Sequence, residues 1–422
     1  MRYLVLLLSL LTPLTATAAR SRAVRHPSAP PSGPTFSKEV VRIFQAHCQT
    51  CHHPGDIAPF SLTSYAEARP WAAMIKIMTS SRRMPPWKPV DGCGDFHDAR
   101  KLTQEQIDTI AEWVSNGAPE GNPADLPTPI DFGSGWELGQ PDMILKNAEA
   151  FTPPAGTDTY RCFTIPTYLT SRGSVAAVDV HPGDRQTVHH LISFIDTTGV
   201  SQTLDEQDPG PGYTCFGDPG FSVTGTLGGW APGARALQMP ENIAFELPAA
   251  SRVVLQVHYH PHHGLQPGPD QTELGIYFAK QPPEKYMQII PIINTTFTIP
   301  PHDGAYQVKA EFPLLTPFPT KIWVIAPHMH LLGRKMQVEM THVPTNKTTC
   351  LINIEDWDFN WQGTYRFKEP ISVPAGTRLS LKAIYDNSSN NPKNPNSPPR
   401  PVSWGEQTTD EMCIAFIGVT TD

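Results

Sequence analysis

Ile325-Ala326-Pro327-His328-Met329-His330-Leu331-Leu332-Gly333 follows an apolar run from Ile322 that reads as a strand. Side chains two apart on a strand share one face. His328 and His330 therefore point into the same space as a pair of imidazoles, which is a metal-ligand spacing. Two partly buried histidines at a strand end would look the same, so the reading depends on the rest of the chain.

Three other stretches carry matching donors. His189-His190 follows Val188 and precedes an apolar run. Neighbouring side chains on a flat strand point to opposite faces, so both reach one ion only if the backbone bulges there. Val253-Val254-Leu255-Gln256-Val257-His258-Tyr259-His260 reads as a strand. His258 can complete a three-histidine group with Gln256 behind it, and His260 shares that face, so spacing leaves both open. His262 and His263 sit in a Pro/Gly-rich turn and read as exposed. Met412, in Thr409 to Ile417, joins His328 and His330 as a His/His/Met set. A thioether favours Cu(I), while imidazole suits both copper states.

Length and composition bound the fold. At 422 residues two or three domains are expected. The 46 prolines and 17% charged residues, with short Val/Ile/Thr/Phe runs after residue 118, argue for antiparallel β structure. A net charge of −8 offers no basic patch and no case for nucleic acid. Arg2, the apolar block Leu4 to Leu14 and Ala16-Thr17-Ala18 read as a signal peptide over residues 1–19. A periplasmic or secreted bacterial protein is expected, in a compartment where disulfides persist. No later apolar run approaches membrane length.

Residues 20–35 read as a linker. Ser37 is a plausible N-cap for a helix carrying Val40, Val41, Phe44 and His47. It runs into Cys48-Gln49-Thr50-Cys51-His52, a C-x-x-C-H motif whose thiols can form thioethers to haem and whose histidine can ligate iron. A zinc site would want a second ligand pair close by, and a redox dithiol a βαβ setting. A second helix is expected after Ser64-x-x-Glu67, with Trp71, Met74, Ile75 and Met78 as its packing stripe. Met84, in a loop set by Pro85 and Pro86, suits the sixth iron position, where a thioether raises the potential. A third helix is capped by Thr103 and Gln106 and stopped at Gly117. Residues 36–120 thus resemble a class I c-type cytochrome.

Val188-His189-His190, Leu255-Gln256-Val257-His258-Tyr259, His328-Met329-His330 and Asp410-Glu411-Met412-Cys413 occur in this order. In that ensemble residues 136 to 422 resemble the copper type II, ascorbate-dependent monooxygenases, typified by the peptidylglycine alpha-hydroxylating and dopamine beta-monooxygenases. The resemblance implies His189, His190 and His258 on an electron-storing copper. It implies His328, His330 and Met412 on the copper where O2 binds. It also implies two jelly-roll-like sandwiches facing across a solvent-filled cleft, with pairs Cys162–Cys215 and Cys350–Cys413. Cys93 is then left over. In the peptide-hydroxylating members an arginine and a tyrosine grip the substrate carboxylate. Ala326 and Phe416 stand at those positions here, so glycine-extended peptides are not the expected substrate.

The expected architecture is therefore multidomain, a small all-α cytochrome c domain followed by two all-β jelly-roll-like sandwich domains. Its parts are residues 36–120, a linker at 121–135, a first copper sandwich at 136–290 and a second at 291–422. The expected function is extracytoplasmic C–H hydroxylation of a small molecule with O2, two coppers and a covalent haem. Electrons would come through the haem, from a periplasmic donor, or from ascorbate. The alternative is a non-catalytic copper-binding and electron-transfer protein with a c-type haem. Copper content and hydroxylated product separate the two.

Overall fold

A computed structural model of the chain describes residues 33–56, 58–132, 135–261, 264, 266–312 and 317–421. The expected signal peptide and most of the first linker lie outside the described residues, as do His262 and His263. Among the described residues, no helix is long and apolar enough to cross a membrane.

The bulk of the molecule is two pairs of stacked sheets. In the first pair, a five-stranded sheet orders its strands Tyr213–Thr214, Thr159–Pro166, Arg252–Tyr259, Val188–Asp196 and Gly225–Trp230. Its partner is six-stranded and is built around Gly173–His181. Phe163, Leu255 and Val257 from one sheet meet Val175, Phe245 and Leu274 from the other in a common core. Arg252–Tyr259 is central in its sheet and buried along nearly all its length, which explains its near-continuous apolar run from Val253 to Val257, broken by Gln256.

In the second pair, Gln288–Ile293, Ile414–Thr421, Thr320–His328 and Tyr365–Val373 form one sheet. Tyr306–Glu311, Thr377–Tyr385, Gly333–His342 and Lys347–Ile354 form the other. Thr377–Tyr385 shows the period of two that a half-buried strand requires, with Thr377, Leu379, Leu381, Ala383 and Tyr385 turned inward. They pack against Ile322, Ile325 and Ile417 of the facing sheet.

The expected fold class needs correction at its N-terminal part. Among the described residues the chain is mostly β-sheet, with no large all-α cytochrome c domain. Its helices are few and short, from four residues (Tyr65–Ala68) to 12 (Gln104–Ser115). Phe36, Phe44, Ile110 and Trp113 gather those before residue 118 around a small core. Pro70 breaks the expected second helix into Tyr65–Ala68, a 3-10 turn and Ala72–Ser80. Thr35, not Ser37, stands at the start of the first helical turn, and Ser37 is buried within it. Of the expected Trp71, Met74, Ile75 and Met78 stripe, Ile75 joins the core and Met78 is half-buried, while Trp71 and Met74 are 41% and 50% exposed. The capping box of Thr103 and Gln106 forms as expected.

The stretch between the helices Ala72–Ser80 and Gln104–Ser115 also departs from an independent domain. Residues 87–98 lie along the second sandwich as a strap. Val90 N donates to Asn353 O at 2.9 Å, His97 N to Arg366 O at 2.8 Å, and Lys368 N to Asp95 O at 2.9 Å. Phe96 enters the second sandwich's core. Cys93 is bonded to Cys350, which overturns the expected Cys350–Cys413 pair. Cys413 is a buried free thiol, and Cys162 is bonded to Cys215.

Candidate metal centres

His189 and His190 share a site because the strand bulges between them. Val188 pairs with Tyr259 and His190 pairs with His258, so His189 is the extra residue. His189 Nδ1 lies 3.1 Å from His190 Nδ1, and His258 Nδ1 lies 3.4 Å from the same atom. One ligand atom from each of the three falls within 4.8 Å of the others, as metal ligands require. The Tyr160 ring lies parallel to His258 at 4.2 Å and fixes its plane. His260 shares the strand's face but turns to Asp158, with Nδ1 2.5 Å from Oδ1. Gln256 turns away from the histidines and donates to Cys215 O at 3.1 Å.

The second group sits where strand Thr320–His328 ends. The His328 and His330 rings are 5.1 Å apart and nearly perpendicular. His328 Nδ1 bonds Gln362 Oε1, and His330 Nδ1 lies 3.1 Å from Asp410 O. Each bond occupies one ring nitrogen and leaves the other for a ligand. Met412 is buried. Its segment is tied to His330 through Glu411, a fully buried carboxyl. Glu411 accepts from His330 N at 2.9 Å, Leu332 N at 2.6 Å and Met412 N at 3.2 Å. Burial pushes its pKa up to about 8, against the pull of those amides.

Electrostatics suits a soft or borderline metal. Burial, then the neighbouring histidines, hold His189 and His190 well below the usual imidazole pKa. Burial lowers His328 to about 4 and, with His328 beside it, His330 to about 3. Burial also lowers His258, partly offset by Asp158. All five rings are therefore neutral near pH 7, with lone pairs available.

The two groups nearly touch. The His190 and His328 rings are 6.3 Å apart. Phe359, only 4% exposed, stacks on His189 at 4.6 Å and meets His330 at 5.8 Å. A buried phenyl ring thus links the two groups, beside a larger cavity that residues of both sandwiches line.

A cavity of about 1170 Å³ adjoins the first group. Its walls include Cys48, Cys51, His52, Met84 and His189. His52 Nδ1 lies 3.0 Å from Phe60 O, so Nε2 is the nitrogen left open. The exposed Met74 and the half-buried Met78 also face this cavity. His53 is engaged elsewhere, stacked on Phe132 at 4.1 Å. Arg185 to Asp56 at 3.0 Å and Arg100 Nη1 to Gly233 O at 2.7 Å fasten the helical part to the first sandwich.

Asp158, Phe359, Gln362 and the bonding role of Glu411 escaped the sequence reading. Glu411 adjoins a donor residue, but nothing local to it signals its two long-range amide partners, His330 and Leu332.

Residues 286–419 match the family model described as copper type II ascorbate-dependent monooxygenase, C-terminal domain. The match supports a copper monooxygenase-like family and an oxidoreductase. The first sandwich and the helical part lie outside it. No curated protein matches the chain in sequence. Among solved structures, the major capsid protein P2 of bacteriophage PM2 is 8% identical, covers 66% of this chain and 97% of its own, and has a TM-score of 0.27. PNGase F, a glycosylasparaginase from Flavobacterium meningosepticum, is 10% identical over 66% of this chain and 96% of its own, with a TM-score of 0.26. Likenesses this slight carry no argument about the molecule.

Proposed function

We propose that this chain is an extracytoplasmic copper monooxygenase that hydroxylates a C–H bond of a small apolar molecule. One observation carries the reading: the bulge at His189 turns two adjacent histidines onto His258, with ligand atoms within 4.8 Å. The family match over residues 286–419 supports the second group, His328, His330 and Met412. The balance is substrate C–H, O2, two electrons and two protons giving C–OH and water. Copper would supply the one-electron chemistry with O2. The chain's residues contribute neutral imidazoles, a methionine segment held by Glu411 and a buried phenyl ring that excludes water between the groups.

Substrate polarity follows from two facing positions. Ala326 and Phe416 are cross-strand partners and both are partly exposed. Neither offers a charge or a hydroxyl, and a carboxylate brought there would lose hydration without a partner.

The reading includes a covalent haem that Cys48, Cys51, His52 and Met84 would hold and that would supply one-electron chemistry. The large cavity beside both thiols and the open Nε2 of His52 fit that group. Because His189 lines the same cavity, a one-electron carrier there would adjoin the first copper group. Ascorbate or a periplasmic donor is the other source.

The test is metal and product together. Protein purified with copper should hold about two coppers and one haem per chain. With O2 and reductant it should convert apolar C–H donors to alcohols and leave glycine-extended peptides unchanged. No retained copper sinks the reading. Two coppers with O2 consumption but no alcohol from any donor would favour an electron-transfer protein instead.

A further inference from the structure

His258 has two faces. Its Nδ1 points into the histidine trio, 3.4 Å from His190 Nδ1. Its Nε2 is buried and has no hydrogen-bond partner at bonding distance among the described residues. Asp158 Oδ1 lies 3.7 Å from that nitrogen. A buried ring N–H without an acceptor is costly, and a slight closing motion would complete this bond.

Asp158, His258 and His260 also satisfy the spacing of a metal group in their own right. Geometry argues against an ion there. His260 Nδ1 and Asp158 Oδ1 are 2.5 Å apart, a direct hydrogen bond. Two ligands each about 2 Å from a metal stand farther apart than that. The carboxylate is thus already committed to His260, which holds it in place beside His258.

We infer that Asp158 is a positioning residue of the first copper group: it accepts the Nε2 proton of His258, leaving Nδ1 to the metal, while His260 steadies the carboxylate. This settles the choice between His258 and His260, giving the ligand role to the first and the support role to the second. A carboxylate behind a ligating histidine fixes its tautomer and orientation and makes it a better donor. The inference rests on the copper reading above.

The experiment titrates the full-length protein with Cu(II) and follows binding by metal analysis and electron paramagnetic resonance. Asp158→Ala should weaken one of the two coppers by about 10–100-fold and shift its Cu(II) spectrum. Asp158→Glu should restore much of both. His260→Ala should keep both coppers, with a smaller weakening of one. If Asp158→Ala does not fold, the nearly isosteric Asp158→Asn decides, with the same direction expected. Unchanged affinity and spectrum in a folded Asp158 variant would overturn the role. So would loss of one copper in His260→Ala alone, which would make His260 the ligand. Absence of copper from the unaltered protein would instead remove the copper reading, and this inference with it.

Discussion

Replacing Glu411 tests whether a buried carboxyl holds the second metal group together. Its oxygens accept from three backbone amides, those of His330, Leu332 and Met412. Glu411→Ala leaves all three donors without their acceptor. Each buried orphan costs about 1–3 kcal/mol, so the sum is about 3–9 kcal/mol. Relaxation and entering water place the outcome in the lower part of that range, about 4 kcal/mol. For a sandwich of this size that lowers its melting transition by about 8–16 °C. Glu411→Gln discriminates further. Its carbonyl oxygen can stay where it serves His330 and Met412, while its amide group faces the Leu332 N–H. One bond is lost, at about 1–3 kcal/mol. Differential scanning calorimetry on metal-free protein should rank parent above Gln above Ala. The same order should appear in copper retention, because His330 and Met412 share this support. An Ala variant melting within about 2 °C of the parent would refute the argument.

Two further perturbations address the sandwich interface and the strap. Glu406 is raised to about 7 by burial and then by Asp218 and Asp410. A carboxyl with a raised folded pKa contributes stability that is complete below its unfolded pKa, about 4.5, and lost as pH rises through about 7. The buried neutral imidazoles raise stability over the same window up to about pH 6.5, so the Glu406 share is read as a difference: the melting temperature of the parent relative to Glu406→Gln should fall from pH 5 to pH 8, and a constant difference would exclude Glu406 as a source. The Cys93–Cys350 bond spans 257 residues, for which the chain-entropy estimate is on the order of 5 kcal/mol. Cys93→Ser should lower stability and speed hydrogen exchange at Val90 and His97; unchanged exchange there would mean the backbone bonds alone hold the strap.

Donor chemistry was legible in the sequence because it is local. A His-x-His step on an apolar strand, an adjacent histidine pair and a C-x-x-C-H run each state their geometry within a few residues. The need for a bulge at His189-His190 followed from strand geometry alone, and the register step is there. Relations between distant segments were not legible. The strap's short bridges, Pro89 to Ile354 and Phe96 to Phe367, leave no period to read and sit among prolines and glycines that look like a loop. Three helical patterns around a haem-type motif therefore suggested a separate domain, although part of that segment belongs to the second sandwich.

The same distinction explains why Cys350 was paired wrongly. A disulfide depends on where two chain segments meet, and Cys93 reaches Cys350 only because the strap crosses the second sandwich. Cys413 needed no bond to steady Met412. Glu411 accepts the Met412 amide, and Tyr385 Oη donates to Met412 O at 2.6 Å. Hydrogen bonds from fully buried groups thus hold the Met412 segment without a covalent link at Cys413. Phe359 follows the same logic. The alternation Trp357-Asp358-Phe359-Asn360-Trp361 hints that Phe359 turns inward, but nothing local says that it seals the contact between His189 and His330. The ligands can be read from donor types, but the contacts that aim them come from residues scattered through the chain, and only the fold brings those together.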